Sequence, residues 1–190
     1  RIAVGDAWTG LSRLWRASLR LVNQTCEEQQ LLHRSQHPRL LSKVFETASE
    51  KEAVRSELLM AIAKQESRFS PGVSSPVGAI GLLQLMPATA EELAGGALTS
   101  AELREPTRNA RLGARYLAQL LEQWQGNIVL AIASYNAGPG AASQWVTPAL
   151  EKDPELWVER IPYPETRLYT KKVLGNLWAY LGSGHDRCDS

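Results

Sequence analysis

The chain has 190 residues, 44% of them hydrophobic and 22% charged. At roughly 150 residues per domain, that length allows one domain with room for an extension, and the composition excludes the disordered, collagen-like and disulfide-scaffold classes. Lys and Arg number 21 against 20 Asp and Glu, a net charge of +1, so no global field gathers a polyanion and nucleic acid is not an expected partner.

Leu11, Leu14, Trp15, Leu19 and Val22 recur at spacings of three and four and predict an amphipathic helix over residues 8 to 35. His37-Pro38 interrupts it, because the residue before a proline is pushed out of the helical region. A short helix over 40 to 48 and a third over 54 to 68 follow, the latter stopped by Ser70-Pro71-Gly72. Residues 71 to 81 read as a loop. Pro87 fits the first turn of a helix that runs to 93 and ends at Gly95-Gly96. Helical spacing then recurs over 109 to 125, 127 to 136, 139 to 146 and 164 to 181, and strand-like alternation is absent. The chain therefore reads as all-helical and without a fixed repeat.

No stretch approaches the roughly 20 consecutive apolar residues that span a bilayer. The N-terminus lacks an initiator Met and a basic segment followed by an apolar one, so a signal peptide is absent or already removed, and the sequence is expected to be part of a longer chain. Cys26 and Cys188 have no Cys or His at metal-ligand spacing, which argues against a metal site or a CxxC redox site. They pair if the chain ends meet in an oxidising compartment, or remain two thiols without function; both readings stay open.

On the third helix Leu59, Ile62 and Glu66 follow at spacings of three and four, which places the Glu66 carboxylate on an apolar stripe, with Lys64, Gln65 and Arg68 on the wetter side. Apolar neighbours disfavour the charged carboxylate. The partial negative charge of a helix's last turn does the same. Both raise its pKa toward that of a general acid working near neutral pH. A buried Glu satisfied by an Arg or by backbone donors would look the same from position alone.

Three further clusters follow the candidate acid. The loop after it carries hydroxyls, glycines and an amide, from Ser74 to Gln84, groups able to approach and hydrogen-bond a sugar. Ser134-Tyr135-Asn136-Ala137-Gly138-Pro139-Gly140 lies at a helix junction. Ile161-Pro162-Tyr163-Pro164-Glu165-Thr166-Arg167 opens the last helix, where Glu165 shares a face with Tyr169 and is also well placed simply to favour the helix dipole.

In this order, Gln65-Glu66-Ser67, Ser75-Pro76-Val77-Gly78-Ala79 with Gly81-Leu82-Leu83-Gln84-Leu85-Met86-Pro87, Tyr135-Asn136-Ala137-Gly138-Pro139-Gly140, and Ile161-Pro162-Tyr163 with Glu165-Thr166-Arg167 and Tyr169 resemble the catalytic domain of the soluble lytic transglycosylases, the SLT domain of the goose-lysozyme-like superfamily. The resemblance covers about residues 50 to 181, and Leu83 stands where the family often has Met. It implies an all-α, lysozyme-like catalytic domain over 46–190, preceded by a helical support segment over 1–45. It also implies cleavage of the β-1,4 bond between N-acetylmuramic acid and N-acetylglucosamine in peptidoglycan, forming a 1,6-anhydromuramoyl product without a cofactor or metal. Glu66 matches the single catalytic acid. Ser75, Gln84, Met86, Tyr135, Asn136, Glu165 and Tyr169 match positions around the substrate cleft. The resemblance places such a protein in the bacterial cell envelope, in the periplasm, acting on glycan strands. Two rivals are a lysozyme-type muramidase that uses water, with Glu165 or an unplaced Asp as its second carboxylate, and a non-catalytic peptidoglycan-binding module.

Overall fold

The computed structural model describes residues 25–182. Among them the chain forms eleven helices and no strand: α1 (Cys26–Gln36), α2 (Ser42–Glu52), α3 (Ser56–Glu66), α4 (Pro87–Ala94), α5 (Ser100–Leu103), α6 (Pro106–Gln123), α7 (Ile128–Ala137), α8 (Pro139–Ser143), α9 (Ala149–Lys152), α10 (Pro154–Glu159) and α11 (Pro164–Gly182). The predicted all-helical class holds. Most of the predicted N-terminal helix lies outside the described residues; at Thr25 the prediction of an unbroken run is corrected, because Thr25 is extended and forms a reciprocal capping pair with Glu28, so α1 starts anew at Cys26. Cys26 is disulfide-bonded, and Cys188 lies outside the described residues.

α3 is the central helix. It packs against α2, α6 and α11, and every residue from Leu58 to Ala63 is buried. This corrects the expected one-sided apolar stripe, because a helix surrounded by others is apolar all round. Lys64, assigned above to the wet side, is half-buried and donates from Nζ to Asn176 Oδ1 at 2.8 Å. α6 is the amphipathic helix of the set and turns Ala110, Leu112, Gly113, Ala114, Leu117 and Leu120 inward.

The main core joins Phe45, Leu58, Leu59, Leu82, Leu117, Val173 and Tyr180, drawn from α2, α3, α6, α11 and the segment before α4. Two smaller clusters lie under Ile80, Leu93 and Leu103 and under Leu130, Trp157 and Ile161. Short α5, α9 and α10 were not legible as helices, since four to six residues are too few to display a period. α5 and α10 are instead fixed by caps, Thr99 bonding Glu102 N–H and Asp153 bonding Leu156 N–H. No helix among the described residues is long and apolar enough to cross a membrane.

Candidate active site

Glu66 is the final residue of α3. The helix stops there because Arg68 and Phe69 take left-handed conformations, with φ of 52° and 64°, two residues short of the predicted end. Ser67 then fastens the helix end: its buried hydroxyl donates to the Leu82 carbonyl at 2.8 Å. The acid and the following loop are thereby held as one unit.

The Glu66 carboxyl meets two other helices. Tyr169 of α11 donates its hydroxyl to Oε1 at 2.7 Å. Tyr135 of α7 donates to the Leu83 carbonyl at 2.9 Å, with its ring 5.3 Å from that of Tyr116. Burial pushes the Glu66 pKa up, the Tyr169 hydrogen bond opposes this, and the nearby charge of Glu165 adds to the rise, for a value of about 7. Burial, with the Glu66 charge behind it, pushes the phenols of Tyr135 and Tyr169 well above their ordinary value, so both remain protonated donors.

The loop between α3 and α4 is folded on itself by isolated bridges pairing Ile80 with Ser74 and with Leu85. Ser75 accepts the Ala79 N–H on its hydroxyl at 3.0 Å. Gln84, at a φ of 45°, donates its amide nitrogen to the carbonyls of Gly81 at 2.9 Å and Val73 at 3.2 Å. Part of the polar capacity that the sequence offered to a ligand therefore builds the loop, leaving the Ser75 hydroxyl proton and Gln84 Oε1. Met86, the N-cap residue of α4, is 43% exposed. Asn136 accepts on Oδ1 from the Thr166 hydroxyl at 2.6 Å, joining α7 to α11. Asn136 and Glu165, with Ala137, Tyr163, Pro164 and Thr166, line a cavity of about 410 Å³. The structure thus gathers Glu66, Tyr135 and Tyr169, brings Glu165 within electrostatic reach, and sets Asn136 beside Glu165. The hydrogen bonds of Ser75 stay within its own loop.

Sequence reasoning missed Asn109, the residue that positions this loop. Its fully buried side chain accepts the Leu83 N–H on Oδ1 at 2.8 Å and donates from Nδ2 to Ile80 O at 3.0 Å and Leu103 O at 2.9 Å. Gly81 lies against it with a φ of +86°, and a Cβ there would stand 2.3 Å from Asn109 Nδ2. The available signal was an Asn in line with Ala110, Leu112 and Gly113 on the buried face of α6. It read instead as the start of the helix, which begins three residues earlier at Pro106.

The Transglycosylase SLT domain family matches residues 43–158. The chain belongs to this family. It is 36% identical over 143 residues to the soluble lytic murein transglycosylase of Escherichia coli K12, covering 72% of this chain and 22% of that protein. A solved inactive Glu-to-Gln mutant of the lytic transglycosylase Slt from Pseudomonas aeruginosa matches with a TM-score of 0.73 at 31% identity, covering 96% of this chain and 34% of that one. The 70 kDa soluble lytic transglycosylase of E. coli gives a TM-score of 0.71 at 33% identity, over 78% of this chain and 25% of that one. This SLT domain therefore spans 22% to 34% of the length of these relatives.

Proposed function

We propose that this SLT domain is a peptidoglycan lytic transglycosylase that cleaves the β-1,4 bond between N-acetylmuramic acid and N-acetylglucosamine. The observation that carries the reading is the Glu66 carboxyl, partly buried at a helix end, hydrogen-bonded by Tyr169 and held at a pKa of about 7. Tyr169 occupies Oε1, which leaves Oε2 to carry the proton. Glu66 gives that proton to the glycosidic oxygen as the C1–O bond breaks. The resulting carboxylate takes the proton of the muramoyl 6-hydroxyl as its oxygen bonds C1, so Glu66 ends protonated and the sugar ends as the 1,6-anhydride. Electrons and protons balance without water, cofactor or metal. Ser75, Gln84, Met86, Tyr135, Asn136, Glu165 and Tyr169 surround the strand in this reading.

Related proteins are named soluble and membrane-bound lytic murein transglycosylases, and a Glu-to-Gln mutant of one is inactive. These support the assignment of the acid and a place in the cell envelope, in the periplasm. We also propose residues 46–190 as the catalytic unit and 1–45 as its helical support. Every residue given a role in the chemistry falls in the former. α2 straddles that boundary, with Phe45 inside the core.

The test is digestion of peptidoglycan in ¹⁸O-labelled water with mass analysis. Unlabelled anhydromuramoyl fragments, one water lighter than hydrolysis products, are expected. Labelled reducing muramic acid as main product would establish a muramidase, with a second carboxylate activating water. Binding without any cleavage would leave a recognition module.

A further inference from the structure

α4 joins two surfaces. It runs from Pro87, just after the exposed Met86, to Ala94, and eight residues at 1.5 Å each cover about 12 Å. At its far end lies a second cavity of about 410 Å³, walled by the turn at 94 to 98 and by one face of α6, where Arg108, Arg111 and Arg115 recur at spacings of three and four. Glu102 is the one carboxylate in the lining, against three guanidiniums.

The arginines are unequally committed. Arg115 is structural: it donates to the Leu93 carbonyl at 2.9 Å and pairs with Glu52 at 3.1 Å. Arg108 pairs with Glu102 at 2.5 Å. Arg111 reaches only the already shared Glu52, through Nε at 3.5 Å, and is 51% exposed. Its two terminal nitrogens make no hydrogen bond, and Glu91 of α4 accepts the Leu98 N–H at 3.4 Å. A guanidinium fork with spare donors beside a cavity of positive balance suits a carboxylate bound in bidentate fashion.

We propose that this cavity binds a carboxylate of the peptide stem carried by the glycan strand, with Arg111 as the anchor and Arg108 beside it; the proposal rests on the peptidoglycan reading above. A stem of four residues extends about 13 Å, enough to run the length of α4 from the cleft edge to the arginines. The site would make stem-bearing strands better substrates than bare glycan.

The experiment compares the wild type with Arg108→Ala/Arg111→Ala and with the milder Arg111→Gln on stem-bearing strands and on the same strands stripped of stems by an amidase. The double variant keeps Arg115 on Glu52, and Glu102 keeps its bonds to Thr99. For stem-bearing strands we expect KM to rise about tenfold in the double variant and severalfold in Arg111→Gln, with kcat unchanged. For stripped strands neither constant should move. Direct binding of an N-acetylmuramoyl tripeptide should weaken to match its carboxamide form. Equal effects on both strands, no effect on either, or equal binding of acid and carboxamide by the wild type would overturn the proposal. Failure of the wild type to cleave either strand, with acid still bound over carboxamide, would remove the catalytic reading while upholding the carboxylate site.

Discussion

Tyr169 and Glu66 meet at 2.7 Å between α11 and α3, a phenol that stays protonated donating to a carboxyl that stays protonated to about pH 7. In the proposed mechanism the neutral form of Glu66 is the one that works. Activity should therefore be flat below about pH 7 and fall roughly tenfold per pH unit above it. Glu165 adds to the raised value, so Glu165→Gln should move this limb to lower pH. Initial rates from pH 5 to 9 check both; a limb unmoved in Glu165→Gln would show that its charge does not reach the acid.

Glu66→Gln should lower turnover by orders of magnitude while keeping the fold, since the amide accepts the Tyr169 hydrogen bond but has no proton to give. Its effect on stability has a definite sign. The folded-state pKa of about 7 lies above the ordinary 4.5, so the ionised carboxyl opposes folding: the cost is absent below pH 4.5 and complete above about pH 7. Glu66→Gln should thus be more stable than the parent by ~2–3 kcal/mol at pH 8 and about equal to it at pH 4. Denaturant melts at the two pH values measure it.

Tyr169→Phe removes the one hydrogen bond that holds the Glu66 pKa down. A bond to a charged group is worth about 1.5–3 kcal/mol, so the basic limb should move up by about one to two pH units while kcat falls. A variant with lower kcat and an unmoved limb would mean that Tyr169 only packs.

Much of this was open to inspection in the chain. Pro87 and the left-handed Gly95 bound α4 as expected, and Asn127 caps α7 through the Leu130 N–H. Spacing put Glu66 in line with Leu59 and Ile62 but did not separate a catalytic acid from a structural one; the four ordered motifs that resemble the SLT family made it the candidate. What surrounds it was not legible, because those relations cross long stretches of chain: Ser67 to Leu82, Asn109 to Leu83, Tyr169 to Glu66. Hydroxyl and amide groups also carry no mark of whether they will face a ligand or their own backbone. Gln84 illustrates this, with its amide nitrogen spent on Gly81 and Val73.

Asn109→Ala should be among the costliest single changes to the loop. It leaves the Leu83 N–H and the Leu103 carbonyl without these partners in a buried place and takes one of two bonds from the Ile80 carbonyl, which keeps the Leu85 N–H, at about 1–3 kcal/mol for each group that water cannot reach. We expect a loss of ~3–5 kcal/mol in equilibrium unfolding. Activity of the remaining folded fraction should also drop, since the Leu83 carbonyl anchors Tyr135. Unchanged stability would mean that the loop is held by its own bridges.

The segment after α1 is tied to the core through Tyr180. Arg39 donates to the Tyr180 carbonyl at 2.7 Å, Tyr180 donates to the Pro38 carbonyl at 3.2 Å, and the His37 ring stands edge-on to Tyr180 at 5.7 Å. Burial, the Lys64 charge and His33 hold the His37 pKa down to about 4, below the ordinary 6.5. The folded state thus favours neutral imidazole, whose contribution is complete above pH 6.5 and is lost as pH falls toward 4. After discounting for its partial exposure this is worth about 1–2 kcal/mol. Urea midpoints of the wild type should therefore fall between pH 7 and 4.5 by more than those of His37→Asn, which cannot take up the proton. Parallel curves for the two proteins would show that protonation at His37 does not govern this contact.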